Sequence, residues 1–492
     1  MIIELQMVTR KLITKGYPTI VLPMRPGIKH ASSQRRRWKH FTHFITQSIL
    51  LPKHFAPEKI CLFSSTGGSL SMTSHIKSSN SVDVAIIGAG PYGLSLAAHL
   101  RARGVEYRIF GEPLGSWKNN MPPGMLLKSF PWASNLSEPS SEFTVKQFCT
   151  ERALPYHDEL MPLQLSRFIE YGDAFRMRYV PDVERKTLLA LEPDADGFRA
   201  RFDDGETIDA RRVVMAVGMQ PFRHLPQEAE HLPAELCSHS SEYGSLERLD
   251  GMEVIVVGSG SSATDLAALL RERGNSVSLV ARAPRLDFAS RPRPRSLFER
   301  TTAPKSGIGH GWAIGACARF PQLIRLLSED MRVRLANAKA LGPLGGAFVK
   351  DRVLGKLPVW LGRALQGIET RNGKVELDLV GASGARHLLR GDHVIFATGY
   401  KIDVGRLGFL SQMILRHLRR VEQAPQLSAR YESSIPGLHF IGPAAANSFG
   451  PVCRFVHGTY HPAQHLAGYL SGVSKRFKPR IGVQPFDRTV LP

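Results

Sequence analysis

Cysteine is scarce in this chain. Cys61, Cys149, Cys237, Cys317 and Cys453 stand far apart, and no C-x-x-C occurs. That excludes a thioredoxin-like redox pair and a zinc ribbon. An odd, sparse set suits a reducing compartment better than a disulfide scaffold, so a cytoplasmic location is expected. Long hydrophobic runs are missing too. The apolar stretch 20–24 contains Pro23 and lies between Pro18 and Pro26, far short of the roughly 20 residues that span a bilayer. No catalytic triad, metal-ligand cluster or P-loop is present, which argues against a hydrolase, a metalloenzyme or a kinase. No metal is expected.

Acidic residues are rare at the start. Residues 1–80 hold 12 Lys/Arg against 2 Asp/Glu, so nearly half of the net charge of +21 sits there. The cluster Arg35-Arg36-Arg37-Trp38-Lys39 invites a nucleic-acid or lipid reading. The segment lacks regular periodicity and reads instead as a solvated, disordered arm, with no nucleic-acid partner expected. It shows no clean amphipathic targeting helix either. Met72 begins a short polar lead-in, MTSHIKSSNS, so residues 1–71 are expected to be a dispensable arm or an over-extended start.

What is present is an ordinary globular composition, 43% hydrophobic and 22% charged over 492 residues, enough for two or three domains. Regular structure begins at Val82. The apolar run 82–87 predicts a parallel strand buried on both faces. Gly88-Ala89-Gly90-Pro91-Tyr92-Gly93 follows, then a helical stretch 94–103, Gly104 and a strand 107–110. The same plan recurs with a strand at 253–257, the turn Gly258-Ser259-Gly260-Ser261-Ser262-Ala263, a helix to Arg273 and a strand at 276–281. Two further strands, 393–400 and 438–443, run into small-residue turns.

A lone G-x-G-x-x-G is weak, but each turn here lies between a strand and a helix, as a dinucleotide site requires. Gly88 permits the tight turn, Gly90 lets the backbone approach a pyrophosphate, and Gly93 packs helix on strand. The helix N-terminus then favours phosphate. The ends of the second strands separate the two sites. The first offers Glu112, one position beyond the usual acid, where Gly111 stands; the second offers Arg282, with Arg285 nearby and no acid. An acid suits a ribose hydroxyl, and a cation suits the 2′-phosphate of NADP. FAD is therefore expected at the Gly88 turn and NADPH at the turn carrying Gly258, Gly260, Ser261 and Ala263.

The expected architecture is α/β: two Rossmann-like dinucleotide-binding domains, the NADPH domain inserted into the FAD domain. The boundaries are a basic arm 1–80, a first FAD segment 82–235, an NADPH domain 236–385 with an insertion at about 285–345, a second FAD segment 386–470, and a tail 471–492. Within the insertion, 285–304 reads as a loop and 321–339 as an amphipathic helix.

The ordered set GAGPYG, GSW (115–117), HSSEY (239–243), GSGSSA and FATGY (396–400) resembles the class B flavoprotein monooxygenases, which include the flavin-containing monooxygenases and the amino-acid N-hydroxylases. The stretch Ser129-Phe130 to Thr144 is similar to the N-hydroxylase branch. The resemblance implies NADPH-driven transfer of one O2 oxygen, through a flavin C4a-(hydro)peroxide, to a nitrogen or sulfur nucleophile of a small molecule. Baeyer–Villiger oxygenation is less expected, because Tyr243 stands where Trp would. An NADPH oxidase or reductase is the alternative, and the missing cysteine pair argues against a disulfide reductase. The resemblance places Pro91, Tyr92, Trp117, Gly442 and Gly450 at the flavin. It puts His239, Ser240 and Tyr243 beside the nicotinamide as donors, or else in a linker whose His caps a turn. Lys128 is a candidate general acid or substrate contact. Where ornithine and lysine hydroxylases carry Gln and Lys, this chain has Leu127 and Trp132; with Asn447, Trp132 is a candidate wall of a more apolar substrate pocket.

Overall fold

The computed structural model describes residues 80–338 and 344–476. The basic arm, except Asn80, lies outside the described residues, as does the tail beyond Arg476.

The first nucleotide unit is β1 (Ser81–Ile87), α1 (Pro91–Ala102) and β2 (Tyr107–Phe110). Gly90 is the extended N-cap of α1, Pro91 takes the first turn, and the helix ends at Gly104 with φ of +64°. Proline fits there because the first-turn N–H has no helical partner. Leu94, Leu96 and Leu100 are fully buried, each contributing about 1.5–3 kcal/mol. After helix α2 (Leu165–Tyr179) come β3 (Val183–Glu184), β4 (Leu188–Asp194), β5 (Gly197–Phe202) and β6 (Thr207–Met215).

The inserted unit supplies β7 (Cys237–His239), β8 (Glu253–Val257), α3 (Ser261–Glu272) and β9 (Ser276–Ala281). It then adds β10 (Val359–Leu361), a three-stranded antiparallel meander of β11 (Arg363–Arg371), β12 (Lys374–Gly381) and β13 (Arg386–Gly391), and β14 (His393–Phe396). The chain returns to the first unit with β15 (Leu438–Phe440) and helix α4 (Tyr460–Arg476), which packs on α1.

Two sheets result. In the first, β3-β2-β1-β6 are parallel; the start of β6 pairs antiparallel with β5, and its end pairs parallel with β15. In the second, β10-β9-β8-β14-β7 are all parallel. Each sheet has helices to cover it, and near-continuous apolar strands such as EVIVV follow from burial on both faces.

Three expectations need correction. The strand 393–396 falls in the expected second FAD segment from residue 386, but β14 pairs with β8 and β7, and β13 belongs to the meander. Both are part of the inserted unit, because the buried run HVIF completes its sheet. The helix expected over 321–339 is two helices, Pro321–Ile324 and Glu329–Ala336, and a short capped helix, Leu297–Thr302, stands in the supposed loop. Finally, α4 runs past residue 470 to Arg476 instead of ending at a tail.

Candidate active site

The turn after β1 is shaped by contacts that admit no side chain. Gly88 has φ of +115°, and a Cβ there would lie 2.3 Å from the Ala216 carbonyl oxygen. A Cβ at Gly93 would lie 1.9 Å from the Gly88 oxygen, so helix and turn touch backbone to backbone. At Gly90 an added Cβ would meet nothing within 4 Å. That open space faces the N-terminus of a helix with no side-chain cap, which is what an incoming pyrophosphate needs.

The second turn repeats the arrangement. Gly258 has φ of +151°, and its Cβ would meet the Ala397 oxygen at 2.5 Å and the buried Ala263 side chain at 3.2 Å. Gly260 caps α3 without a side-chain bond. Ser261 Oγ donates to Asp265 at 2.9 Å. Arg282, just past β9, is exposed and makes no ion pair among the described residues, whereas Arg285 is engaged by Asp287 at 2.8 Å. A free guanidinium at that strand end suits a 2′-phosphate. Ser240 adds a buried hydroxyl with no hydrogen-bond partner among the described residues, a group that a bound cofactor would satisfy.

Tyr92 fastens the first turn to the returning segment. Its hydroxyl donates to the Phe455 oxygen at 2.9 Å, and burial pushes the phenol well above its ordinary pKa, so it stays a donor. Gly442 (φ +76°) faces the Tyr92 ring, where a Cβ would sit 3.4 Å away. Gly450 (φ +85°) ends the turn Ala446–Phe449, and a Cβ there would strike Ile324 at 2.2 Å. Trp117 packs on Phe168, with ring centres 4.4 Å apart. At the end of β2, Gly111 has φ of +122° and lies against the glycine turn, its Cβ position 3.3 Å from the Ala89 nitrogen. Glu112 is set outward and faces Arg185 at 3.7 Å.

The residues of HSSEY are tied up internally. His239 is fully buried; Nε2–H donates to the Gly399 oxygen at 3.0 Å, and Nδ1 accepts from Ser241 Oγ at 2.8 Å. Burial lowers its pKa to about 4, so the ring is neutral at physiological pH. Tyr243 is also fully buried, hydrogen-bonded to Ser238 and, at 3.2 Å, to His393 Nε2. Neither ring offers a donor to a nicotinamide or a proton to a substrate. Within the fold, His239 caps a turn and joins β7 to the FATGY turn, and Tyr243 anchors the same linker from inside, as in the alternative reading of this segment as a linker.

Lys128 keeps an exposed side, while its Nζ donates to the Leu344 oxygen at 2.6 Å. Crowding around the ammonium lowers its pKa to about 8, opposed by the nearby Asp265 carboxylate. Asp265 itself is buried, which raises it to about 6. The nearness of the Asp265 charge to Lys128 is not legible in the sequence. The sequence shows only an acid four residues after Ser261 in the first turns of α3. Lys128 lines a cleft with Leu127, Ser129, Phe130, Met161 and Pro292. Leu127 is buried there, and the Trp132 ring stands edge-on to His457, 6.0 Å away. Asn447 is turned from the cleft toward the backbone, donating to the Val421 oxygen at 3.2 Å. Among the described residues no cluster of His, Cys, Asp or Glu is arranged to hold a metal, and the four described cysteines are buried and unpaired.

Comparison with known proteins fits this geometry. Residues 82–308 match the family described as pyridine nucleotide-disulphide oxidoreductase. An indole-3-pyruvate monooxygenase of Oryza sativa subsp. japonica is 29% identical over 346 residues, covering 65% of this chain and 77% of that protein. An L-ornithine N(5)-monooxygenase of Ajellomyces capsulatus is 24% identical over 362 residues, covering 65% and 74%. Among solved structures, the ornithine N-hydroxylase of Kutzneria sp. 744, determined with reduced FAD, NADP+ and L-ornithine, gives a TM-score of 0.65 at 15% identity, over 80% of this chain and all of that one. The ornithine hydroxylase of Pseudomonas aeruginosa gives 0.62 at 17% identity, over 80% and 99%. With two uncapped glycine-turn helices, a guanidinium without an ion pair and no cysteine pair among the described residues, the chain is similar to flavoprotein monooxygenases in sequence and fold, and its two turns fit FAD and NADPH.

Proposed function

We propose that this FAD- and NADPH-dependent monooxygenase oxygenates a nitrogen or sulfur atom of an apolar or aromatic small molecule, and not free ornithine or lysine. The observation that carries the substrate class is the cleft wall. Leu127, Phe130, Met161, Pro292 and Phe348 make most of the lining apolar, beside the charged Lys128 and Glu159. The name of the rice relative, an indole-3-pyruvate monooxygenase, points to an aromatic compound as well.

In this reading the N–H groups at the start of α1 hold the FAD pyrophosphate, and those at the start of α3 hold that of NADPH. Arg282 would take the 2′-phosphate, and Glu112, facing Arg185, would have to turn to meet the flavin ribose. Tyr92, Gly442 and Gly450 keep the flavin wall closed, and Trp117 braces it from behind. The bound flavin supplies the redox and oxygen chemistry; the protein binds, orients and excludes water. Ser240 is the one linker residue left to donate toward the cofactor. Lys128 meets the substrate rather than the reacting atoms. The enzyme works in the cytoplasm.

Aromatic amines, thioethers, ornithine and lysine, each offered with NADPH and air, test this. The expected result is NADPH consumption matched by oxygenated product for an aromatic amine or thioether, with little turnover of ornithine. If hydrogen peroxide accounted for all NADPH used with every compound, the chain would be an oxidase and the reading wrong.

A further inference from the structure

Among the described residues most large apolar side chains are hidden, and the most exposed of the exceptions fall within one stretch, 297–326. Leu297, Leu326, Phe298 and Trp312 are 79, 78, 75 and 68% exposed, and Phe320 and Leu323 are more than half exposed. They belong to the short helices Leu297–Thr302, Trp312–Arg319 and Pro321–Ile324 and the turn that follows. The Trp312 indole N–H donates to the Thr301 oxygen at 3.0 Å, which ties the first helix to the second. Lys305 pairs with Glu159 and brings exposed Leu160 and Met161 alongside. Buried Cys317 and Ile324 anchor the second and third of these helices inward, whereas the first is held through the Trp312 bond. The exposure therefore belongs to the outward face of a fixed element.

Leaving such side chains in water forgoes the burial that stabilises a fold, and a patch of this kind marks an interaction surface. The charge around it selects the partner. Arg300 and Arg319 make no ion pair among the described residues; of the nearby acids, Asp287, Glu299 and Glu329 are held by Arg285, Arg293 and Arg332, which leaves Asp330. The surplus is positive. A two-fold contact between copies would bring these cations face to face. A layer of acidic headgroups over acyl chains matches both features, with Trp, Phe and Leu at the acyl boundary and Arg among the phosphates. Met161 lines the mouth of the substrate cleft as well, so the cleft opens beside this face.

We propose that the face carrying Leu297, Phe298, Trp312 and Leu326 docks peripherally on an anionic lipid surface, from which an apolar substrate reaches the cleft. The docking itself does not depend on which atom is oxygenated. Vesicles of phosphatidylglycerol and phosphatidylcholine with brominated acyl chains, mixed with the full-length holoenzyme, test it. Tryptophan emission is expected to be quenched, with most of the quenching lost in Trp312→Phe. Binding should fall about tenfold or more in Phe298→Ser/Leu326→Ser, and also with added salt or with phosphatidylcholine alone. FAD content should match wild type in each variant; if the double serine variant loses flavin, the conservative Trp312→Phe still decides. Quenching that survives Trp312→Phe would place the contact elsewhere, such as the basic first 80 residues, and overturn the proposal. So would absence of binding to the anionic vesicles, or a dimer in light scattering that the serine variant makes monomeric.

Discussion

Arg282 and His239 show how differently two polar residues beside a cofactor site can behave. Arg282, just past β9, is exposed and makes no ion pair among the described residues, so its charge is available to a ligand. Replacing it by Gln is expected to lower kcat/KM for NADPH by about 10- to 100-fold, the worth of a charge-assisted bond. The value for NADH should change far less, and the NADPH/NADH ratio is the measurement. An unchanged ratio would remove Arg282 from the site. His239 has both ring nitrogens occupied inside the fold. His239→Ala should cost about 1–3 kcal/mol of stability by leaving the Gly399 oxygen and Ser241 without their partner, read by denaturant unfolding. The residual activity of the folded fraction should keep its pH profile, since a ring neutral down to about 4 does not titrate in the working range.

At the scale of the element, the two strand–turn–helix units use glycine for two separable purposes. Gly93 holds helix against turn, whereas Gly90 leaves room for something else. Gly93→Ala should therefore disrupt the folded protein, because a methyl 1.9 Å from a backbone oxygen forces α1 away from the turn. Gly90→Ala should keep the far-UV spectrum and melting curve of the apoprotein yet lose bound flavin. Protein-to-flavin absorbance ratios beside thermal melts distinguish the two. Equal loss of fold in both would mean that Gly90 is structural. Tyr92→Phe tests the tie from α1 to the returning segment. Removing the bond to the Phe455 oxygen should cost about 1 kcal/mol and loosen the flavin without abolishing its binding.

Across the whole molecule, the buried imidazoles set how the protein responds to acid. His99, His239 and His439 are each lowered by burial to about 4 from the ordinary 6.5. Between those values the unfolded chain binds protons that the folded chain refuses. The stability tied to these rings is fully present above about pH 6.5 and is lost as pH falls toward 4. Each unit of depression corresponds to about 1.4 kcal/mol. Asp265, raised to about 6, acts the other way, because the fold takes up its proton first. Three rings against one carboxyl leave a net loss. Thermal melts from pH 7.5 to 5 should show a steep fall in Tm below 6.5, and a flat profile would contradict this account.

The sequence by itself determined the local units. Strand bounds 107–110, 253–257 and 276–281 are those observed, because apolar runs cut by glycine turns are fixed by short-range sterics and by burial on both faces. The order of the motifs likewise carried the fold class and both cofactors. The tertiary structure alone decided what depends on which surfaces meet. It moved β14 from the FAD segment into the inserted sheet, since strand pairing is non-local and HVIF fits either sheet by pattern. It closed His239 and Tyr243 inside the linker, a fate that residue type does not encode. It brought Asp265 toward Lys128 from 137 positions away in the chain. It also turned Leu297, Phe298 and Trp312 outward, which no periodicity in so short a helix predicts, because exposure is set by the neighbours that do not arrive.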